Sequence, residues 1–143
     1  MTAVIFHLAF PVSDLTTARS FYVDRLGCTA GRASAQALIL NFYNHQLVAH
    51  VTREPLTPQK GIYPRHFGLV FSRYTDWEAL RDRVVNQGLD FYQAPRHRFP
   101  GTPLEHYTFF VADPFFNLME FKFYTDPDAI FAHQDLNQVG DTP

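Results

Sequence analysis

Two similar segments lie 59 residues apart (66 minus 7) in this chain of 143 residues, and each begins with a histidine. The segments are His7–Val12 (HLAFPV) and His66–Phe71 (HFGLVF). Each is a short apolar run of strand length, and each leads into a helical pattern that ends at a glycine, Gly27 or Gly88. This spacing predicts two copies of one structural plan.

Each half contains one amphipathic helical pattern. The first predicted helix is Leu15–Leu26, with Ser13 or Asp14 as the N-cap that accepts an unpaired backbone N–H. The second begins at Thr75–Glu78, which fits a capping box. Both helices follow the first strand of their half directly.

Three short β-like runs follow each helix, so the predicted order is βαβββ, twice. In the first half the runs are about Cys28–Arg32, Ala37–Phe42 and Gln46–Thr52. In the second they are about Phe91–Tyr92 (with a continuation past Pro95 left open), His106–Ala112 and Asn117–Tyr124. Hairpin connections call for mixed or antiparallel sheets with helices on one face, which is an α+β architecture.

The same pattern sets the predicted domain boundaries. A single domain spans residues 1–125, with module one at 1–52, a linker rich in proline at 53–65 and module two at 66–125. Residues 126–143 form a C-terminal tail with weak periodicity, which is expected to wrap the surface or fray.

Composition excludes several classes of protein. Lys and Arg total 12 against 14 Asp and Glu, so there is no basic excess for nucleic acid. Hydrophobic residues make up 46%, enough to bury a core. The single cysteine, Cys28, excludes an internal disulfide framework. No apolar run has the length of a membrane span, and no secretory signal is present. We therefore expect a soluble, cytoplasmic protein.

Side-chain alternation along the predicted strands places three polar residues on equivalent faces. His7, His66 and Glu120 lie on the face opposite the bulky side chains that suit packing under a helix. Two imidazoles and one carboxylate can bind a divalent metal and leave coordination positions open for substrate. The alternatives are hydrogen-bonded core histidines and a Glu120 that pairs with Lys122 on an exposed sheet face. The equivalent positions of the two histidines favour the metal hypothesis.

Three stretches of the chain then point to a known family. They are His7–Gly27 (HLAFPVSDLTTARSFYVDRLG), His66–Phe71 and Asp113–Phe121 (DPFFNLMEF). The chain resembles the vicinal oxygen chelate superfamily, which includes glyoxalase I, extradiol catechol dioxygenases, and the fosfomycin and bleomycin resistance proteins. The third stretch is similar to the superfamily's DPxGNxxEF ending, with Phe116 at its usual glycine.

The resemblance implies that two βαβββ modules curl into a half-barrel, a curved mixed sheet with helices outside. It also implies that His7, His66 and Glu120 bind the metal in a metal-dependent member. The three-ligand set fits Fe(II) best, and Mn(II), Ni(II) and Zn(II) remain open. The half-barrel closes within one chain in some members and across a dimer in others. The aromatic content of 16% is more than one small core is expected to hide, so we expect a homodimer.

The fourth strand and the seventh strand supply the other candidates. Gln46 and His50 share the side of the predicted cavity. Glyoxalase-like members have a fourth ligand on this strand, usually Glu. Gln46 is a substrate contact or a possible fourth ligand, and His50 is the alternative as fourth ligand. His50 and His106 are the candidate acid/base residues, and each could instead be a surface or rim residue. Phe110 stands about where the dioxygenases have a tyrosine, which weakens the prediction of catechol cleavage.

The function implied by the resemblance is a divalent-metal-dependent enzyme. Its partner would be a small molecule that chelates the metal through vicinal oxygens, in dioxygenase, lyase or isomerase chemistry. The alternative is a metal-free protein that binds or sequesters a small molecule, such as a drug, in a cavity lined by aromatic residues. Metal analysis separates the two.

Overall fold

A computed structural model describes residues 3–141 of the chain. Each half has the order βαβββ, as the repeat predicts. The elements of module one are β1 (His7–Val12), α1 (Leu15–Arg19) with a π-helical continuation (Ser20–Arg25), β2 (Thr29–Ala33), β3 (Ala37–Phe42) and β4 (His45–Val51). The elements of module two are β5 (Phe67–Phe71), α2 (Tyr74–Asn86), β6 (Gln93–Arg98), β7 (His106–Ala112) and β8 (Leu118–Tyr124), followed by a 3-10 helix (Pro127–Ile130).

The strands of each module form a four-stranded mixed sheet, in the orders β1-β4-β3-β2 and β5-β8-β7-β6. In both sheets the first strand of the module runs parallel to the last, and the other neighbours are antiparallel. The prediction of two βαβββ modules with curved, mixed sheets is confirmed. Within one chain, hydrogen bonding divides the eight strands into two separate sheets.

The two helices begin in different ways. Of the two predicted caps, Ser13 and Asp14, it is Asp14 that caps α1: its Oδ1 accepts a 2.7 Å hydrogen bond from the Thr17 backbone N–H. The capping box predicted at Thr75 is wrong: α2 begins at Tyr74 with Arg73 as N-cap. Here the Arg73 side chain bonds to Asp76 at 3.1 Å, so an ion pair takes the place of the cap. No helix within residues 3–141 is long and apolar enough to cross a membrane.

Strand β6 lies further along the chain than the sequence pattern suggests. The predicted run at Phe91–Tyr92 precedes the strand, which is Gln93–Arg98 and includes Pro95. Proline lacks a backbone donor, and it is tolerated here because β6 is the edge strand of its sheet, with an irregularity between Gln93 and Arg96.

Both modules contribute to one hydrophobic core. The core takes bulky side chains from both helices and both sheets, among them Tyr22, Leu40, Trp77, Phe109 and Phe121. The Trp77 indole N–H donates to the Phe121 carbonyl at 2.9 Å, so its polar atom is satisfied where the ring is buried. Each large side chain buried in this way contributes about 1.5–3 kcal/mol. We call the side of each sheet that carries these residues its core face, and the opposite side its site face.

The turn before β8 explains much of the Asp113–Phe121 stretch. The Asp113 carboxylate accepts backbone N–H bonds from Phe115 and Asn117, both at 2.8 Å, and a 2.6 Å bond from the Tyr22 hydroxyl on the helical segment of module one. The Asn117 side chain donates to the Pro11 carbonyl at 2.9 Å. Burial raises the pKa of Asp113, and these hydrogen bonds oppose the rise. This part of the motif therefore joins the two modules.

Candidate functional site

Strand register determines which residues share a site face. In module one, β1 pairs with β4 so that His7 lies opposite Gln46 and Pro11 lies opposite His50. In module two, β5 pairs with β8 so that Gly68 lies opposite Glu120, and His66 precedes Gly68 by two residues. Each site face therefore carries one of the two repeated histidines.

Half-site one consists of His7, which is exposed, and Gln46, which is half-buried. His7 Nδ1 lies 2.6 Å from Gln46 Oε1. A carbonyl oxygen can only accept, so Nδ1 is the donor in this pair and Nε2 keeps its lone pair when the ring is neutral. The amide of Gln46 thus orients the imidazole and leaves Nε2 as its ligand atom.

Half-site two, His66 and Glu120, also holds its histidine through Nδ1. His66 Nδ1 donates to the Ile62 backbone carbonyl at 2.7 Å, and Nε2 lies 3.1 Å from Glu120 Oε1. The hydrogen bond to Glu120 raises the pKa of His66, against the opposing effect of burial. Both repeated histidines are therefore held through Nδ1. Nε2 of His7 keeps its lone pair, whereas Nε2 of His66 donates to Glu120 and would have to give up this proton to bind a metal.

Thr108 and Lys122 hold the carboxylate of half-site two. The Thr108 hydroxyl donates to Glu120 Oε2 at 2.6 Å, and Lys122 Nζ lies 3.9 Å from Oε1. Burial acts to raise the pKa of Glu120, but His66, Lys122 and Thr108 together hold it below its ordinary value. Sequence reasoning did not select Thr108, although alternation from His106 places it on the site face.

Gly68 allows β5 to approach β8 closely beside this half-site. A Cβ at position 68 would lie 1.7 Å from the backbone oxygen of Glu120, well inside any permitted contact. Only glycine fits this position without moving one of the strands. The missing side chain is therefore part of what places His66 next to Glu120.

The two candidate acid/base histidines lie in different environments. His50 is exposed and follows Gln46 by four residues, which is about 13 Å along a strand. His106 is buried on the site face of module two, and its Nδ1 donates to the Leu104 carbonyl at 2.8 Å. Burial lowers the pKa of His106, and the positive charges of Lys122 and Arg98 lower it further. Phe110 contacts the His66 ring edge-on, with ring centroids 5.0 Å apart.

One chain does not unite the two half-sites. Across residues 3–141, no group of three His, Cys, Asp or Glu side chains is placed to hold a metal ion. His66 and Glu120 form a pair, while His7 lies with Gln46 on the other sheet. The donor types nevertheless fit a divalent metal, because two oriented imidazoles and one carboxylate are good ligands for Fe(II), Mn(II), Ni(II) and Zn(II).

Comparison with known protein families gives a match over most of the chain. Residues 4–121 match the Glyoxalase/Bleomycin resistance protein/Dioxygenase superfamily. The chain belongs to this superfamily. Members of the superfamily commonly use divalent metals. A comparison with curated proteins finds no match.

Solved structures of the superfamily share the fold. A glyoxalase/bleomycin resistance protein/dioxygenase from Alicyclobacillus acidocaldarius is 38% identical, with a TM-score of 0.84, and the match covers 90% of this chain and 96% of that one. The fosfomycin resistance protein FosX from Listeria monocytogenes is 14% identical, with a TM-score of 0.68 and coverage of 90% and 99%. A lactoylglutathione lyase from Agrobacterium tumefaciens is 18% identical, with a TM-score of 0.63 and coverage of 85% and 94%. The last two are similar in fold alone.

Proposed function

We propose that this protein is a divalent-metal-dependent enzyme, acting in the cytoplasm on a small molecule that chelates the metal through vicinal oxygens. The observation that carries the proposal is the matched setting of the two repeated histidines. In each, Nδ1 is held by an oxygen acceptor, so that Nε2 is the atom a metal would use; in His66 the metal would take the place of the proton shared with Glu120. A core or surface histidine has no need of the same arrangement in both modules.

The metal ligands in this proposal are His7 Nε2, His66 Nε2 and the Glu120 carboxylate, with Fe(II) favoured. Gln46 holds His7, and its amide is a substrate contact or a fourth ligand if the side chain turns. When bound, the metal stabilises negative charge that develops on the substrate oxygens. Thr108 and the Ile62 carbonyl keep Glu120 and His66 in position.

The proposed enzyme is a homodimer whose sites each combine half-site one of one subunit with half-site two of the other. This arrangement is supported by the separation of the two half-sites within the chain. It is also supported by exposed apolar side chains, such as Val70 on the site face of module two, which a second subunit would cover.

His106 and His50 are the proposed acid/base residues. The lowered pKa of His106 keeps its imidazole neutral at neutral pH, which suits a base, and it shares a site face with Glu120. His50 lies on the site face of module one, four residues beyond Gln46, and in the proposed dimer it can meet substrate only where the two subunits join. Oxygen consumption with a diol substrate would indicate a dioxygenase, and turnover without oxygen a lyase or isomerase.

A complementation experiment tests the metal site and the dimer together. His7→Ala and His66→Ala should each abolish stoichiometric Fe(II) after anaerobic reconstitution, without unfolding the chain. Heterodimers that combine one H7A subunit with one H66A subunit, isolated by two different affinity tags, should recover about half of the wild-type metal content. One of their two shared sites has a complete ligand set, and the other lacks both histidines.

His97→Ala, at an exposed histidine that pairs with Glu105 in module two, is the matched control and should leave metal content unchanged. Heterodimers that recover no metal would place the complete site within one chain. Wild-type metal content in H66A would refute the ligand assignment itself.

The second candidate function is a metal-free small-molecule binding or drug-sequestering protein. It is favoured by the absence of a three-ligand group within residues 3–141 and by the aromatic ring of Phe110 beneath His66. Wild-type protein that binds no metal after reconstitution with Fe(II), Mn(II), Ni(II) and Zn(II) would support this function over the enzyme.

A further inference from the structure

The C-terminal segment 126–141 folds back over the site face of module two. Together with the strands beneath, it lines a partly open cavity of about 400 Å³. The strands contribute His106, Lys122 and Tyr124 to the wall, and the segment contributes residues between 129 and 140. A cavity of this volume is large enough for a small organic molecule.

The side-chain carboxylate of Asp141 holds the end of this segment against β6. Asp141 Oδ1 lies 2.5 Å from Arg98 and 3.8 Å from Arg96, and its backbone N–H donates to the Tyr63 hydroxyl at 2.8 Å. Gly140 lies so close to Tyr63 that a Cβ would meet the hydroxyl oxygen at 2.3 Å. The Arg98 side chain is only 18% exposed. A largely buried arginine, Arg98, is therefore ion-paired with a carboxylate of the protein itself.

Two cations lie at this cavity: Lys122 lines it, and Arg98 lies beside it, next to the lining residue Phe99. Arg98 lies opposite His106 in the β6–β7 register, and Lys122 lies opposite Thr108 in the β7–β8 register, so both cations share the site face. Lys122 Nζ bonds to the Tyr124 hydroxyl at 3.1 Å, and its nearest carboxylate, Glu120, is already bonded to His66 and Thr108. The effect of both cations on the pKa of His106 agrees with their position around that ring.

One polar atom of the covering segment also lacks a partner. His133 Nε2 is buried without a hydrogen bond among the described residues, and Asp126 Oδ2 lies 3.5 Å away. His133 lines the same cavity. A ligand with an oxygen acceptor would satisfy this nitrogen when it carries a proton.

We propose that Arg98, which lies beside the cavity, binds the carboxylate of a small organic acid, with Lys122 on the cavity wall as a second cation, and that Asp141 is an internal occupant of Arg98 that the ligand displaces. Segment 126–141 is then a lid over the bound acid, fastened when the site is empty. The site lies on the same face as Glu120, so the acid group would belong to the substrate of the proposed enzyme. Only this assignment to the substrate rests on the proposed function, because anion binding needs no metal.

The test is a titration of metal-free protein with succinate, followed by NMR of the Arg98 side chain and the Asp141 backbone amide. Asp141→Asn should bind succinate about fivefold more tightly than wild type, because a competing ion pair worth about 1 kcal/mol is gone. Arg98→Met should weaken binding by about tenfold or more, as expected for loss of a charged hydrogen bond. Wild-type binding should move the Asp141 amide signal.

Asp76→Asn is the matched control, because Asp76 also pairs with an arginine, Arg73, but at the start of α2. Equal succinate affinity in D141N and D76N would overturn the proposal, as would no saturable binding in any variant. Tighter binding of inorganic phosphate than of succinate would overturn the carboxylate assignment. If R98M does not fold, the D141N result decides alone. Loss of metal binding in the complementation experiment would leave the succinate result unaffected, so the two proposals can fail separately.

Discussion

The two modules repeat one plan, yet they present their histidines in different settings. In module one, His7 is exposed and is held by a single amide, that of Gln46. In module two, His66 is half-buried, bonded on both sides, and paired with a carboxylate that has two further polar neighbours. Both modules hold the imidazole through Nδ1, but only module two gives it a charged partner, the Glu120 carboxylate.

The sheet register makes the difference sharper. The 59-residue offset relates Gly68 to Ala9 (68 minus 59), and Ala9 lies opposite Val48 whereas Gly68 lies opposite Glu120. Gln46 is therefore not the counterpart of Glu120. Module one has an apolar side chain where module two has its carboxylate, so one module alone supplies the acidic ligand of the proposed site.

The largest expected effect comes from adding one methyl group between β5 and β8. Gly68→Ala should lower the free energy of unfolding by about 3 kcal/mol or more, because the new Cβ overlaps backbone rather than a movable side chain. Module one has alanine at the equivalent position, Ala9, so the substitution gives module two the side chain that module one already has there. Urea denaturation measures the loss.

Gly61→Ala is the control for this substitution. Among residues 3–141, no heavy atom apart from those of the adjacent residues lies within 4 Å of a Cβ at position 61, so the free energy of unfolding should change by no more than about 0.5 kcal/mol. A Gly68→Ala variant as stable as Gly61→Ala would show that β5 and β8 can separate at no cost.

A smaller effect is expected from the hydroxyl that holds Glu120. Thr108→Val should weaken Fe(II) binding by about tenfold, because loss of an outer hydrogen bond leaves the ligand less well oriented. Thr108→Ser should restore the affinity. The same substitution at Thr29, which lies opposite Asn41 in module one, should have no effect. Equal affinities in T108V and T29V would mean that Thr108 only fills space.

The smallest effect concerns the pH dependence of stability in module two. Burial holds the pKa of His106 below 6.5 in the folded chain, so the unfolded chain takes up this proton first as the pH falls. The native state should therefore lose stability from this group as the pH drops below about 6.5, and gain nothing from it at higher pH. His106→Gln should show a shallower loss between about pH 7 and about pH 5. Chemical denaturation across this range measures both slopes, and parallel curves would contradict the burial effect.

The sequence contains enough information for the fold because its signals are local. Strand-length apolar runs, the Asp14 cap and the glycines that end both helices identify the modules without any knowledge of contacts. The failures are also local: Tyr74 begins α2 one residue before the predicted capping box, and β6 tolerates Pro95 because it is an edge strand. Periodicity does not reveal the π-helical Ser20–Arg25 either, because its hydrogen bonds skip one more residue than those of an α-helix.

The candidate site is harder to predict because it depends on register. Alternation places His66 and Glu120 on one face, but not within bonding distance of each other. The choice between Gln46 and His50 as the neighbour of His7 needed the β1–β4 pairing. The contact of Asp141 with Arg98 joins residues that no periodic pattern relates, since it depends on the path of an irregular segment.

The placement of each half-site inside a single module also has a consequence during synthesis of the chain. Glu120 follows Gln46 by 74 residues (120 minus 46), which takes a ribosome about 4–15 s at about 5–20 residues per second. Module one can pair His7 with Gln46 during that interval, but Tyr22 still lacks Asp113 and Phe42 still lacks Phe121. The nascent first module therefore exposes its core face until the second module emerges. During this interval the chain offers a chaperone its largest apolar surface.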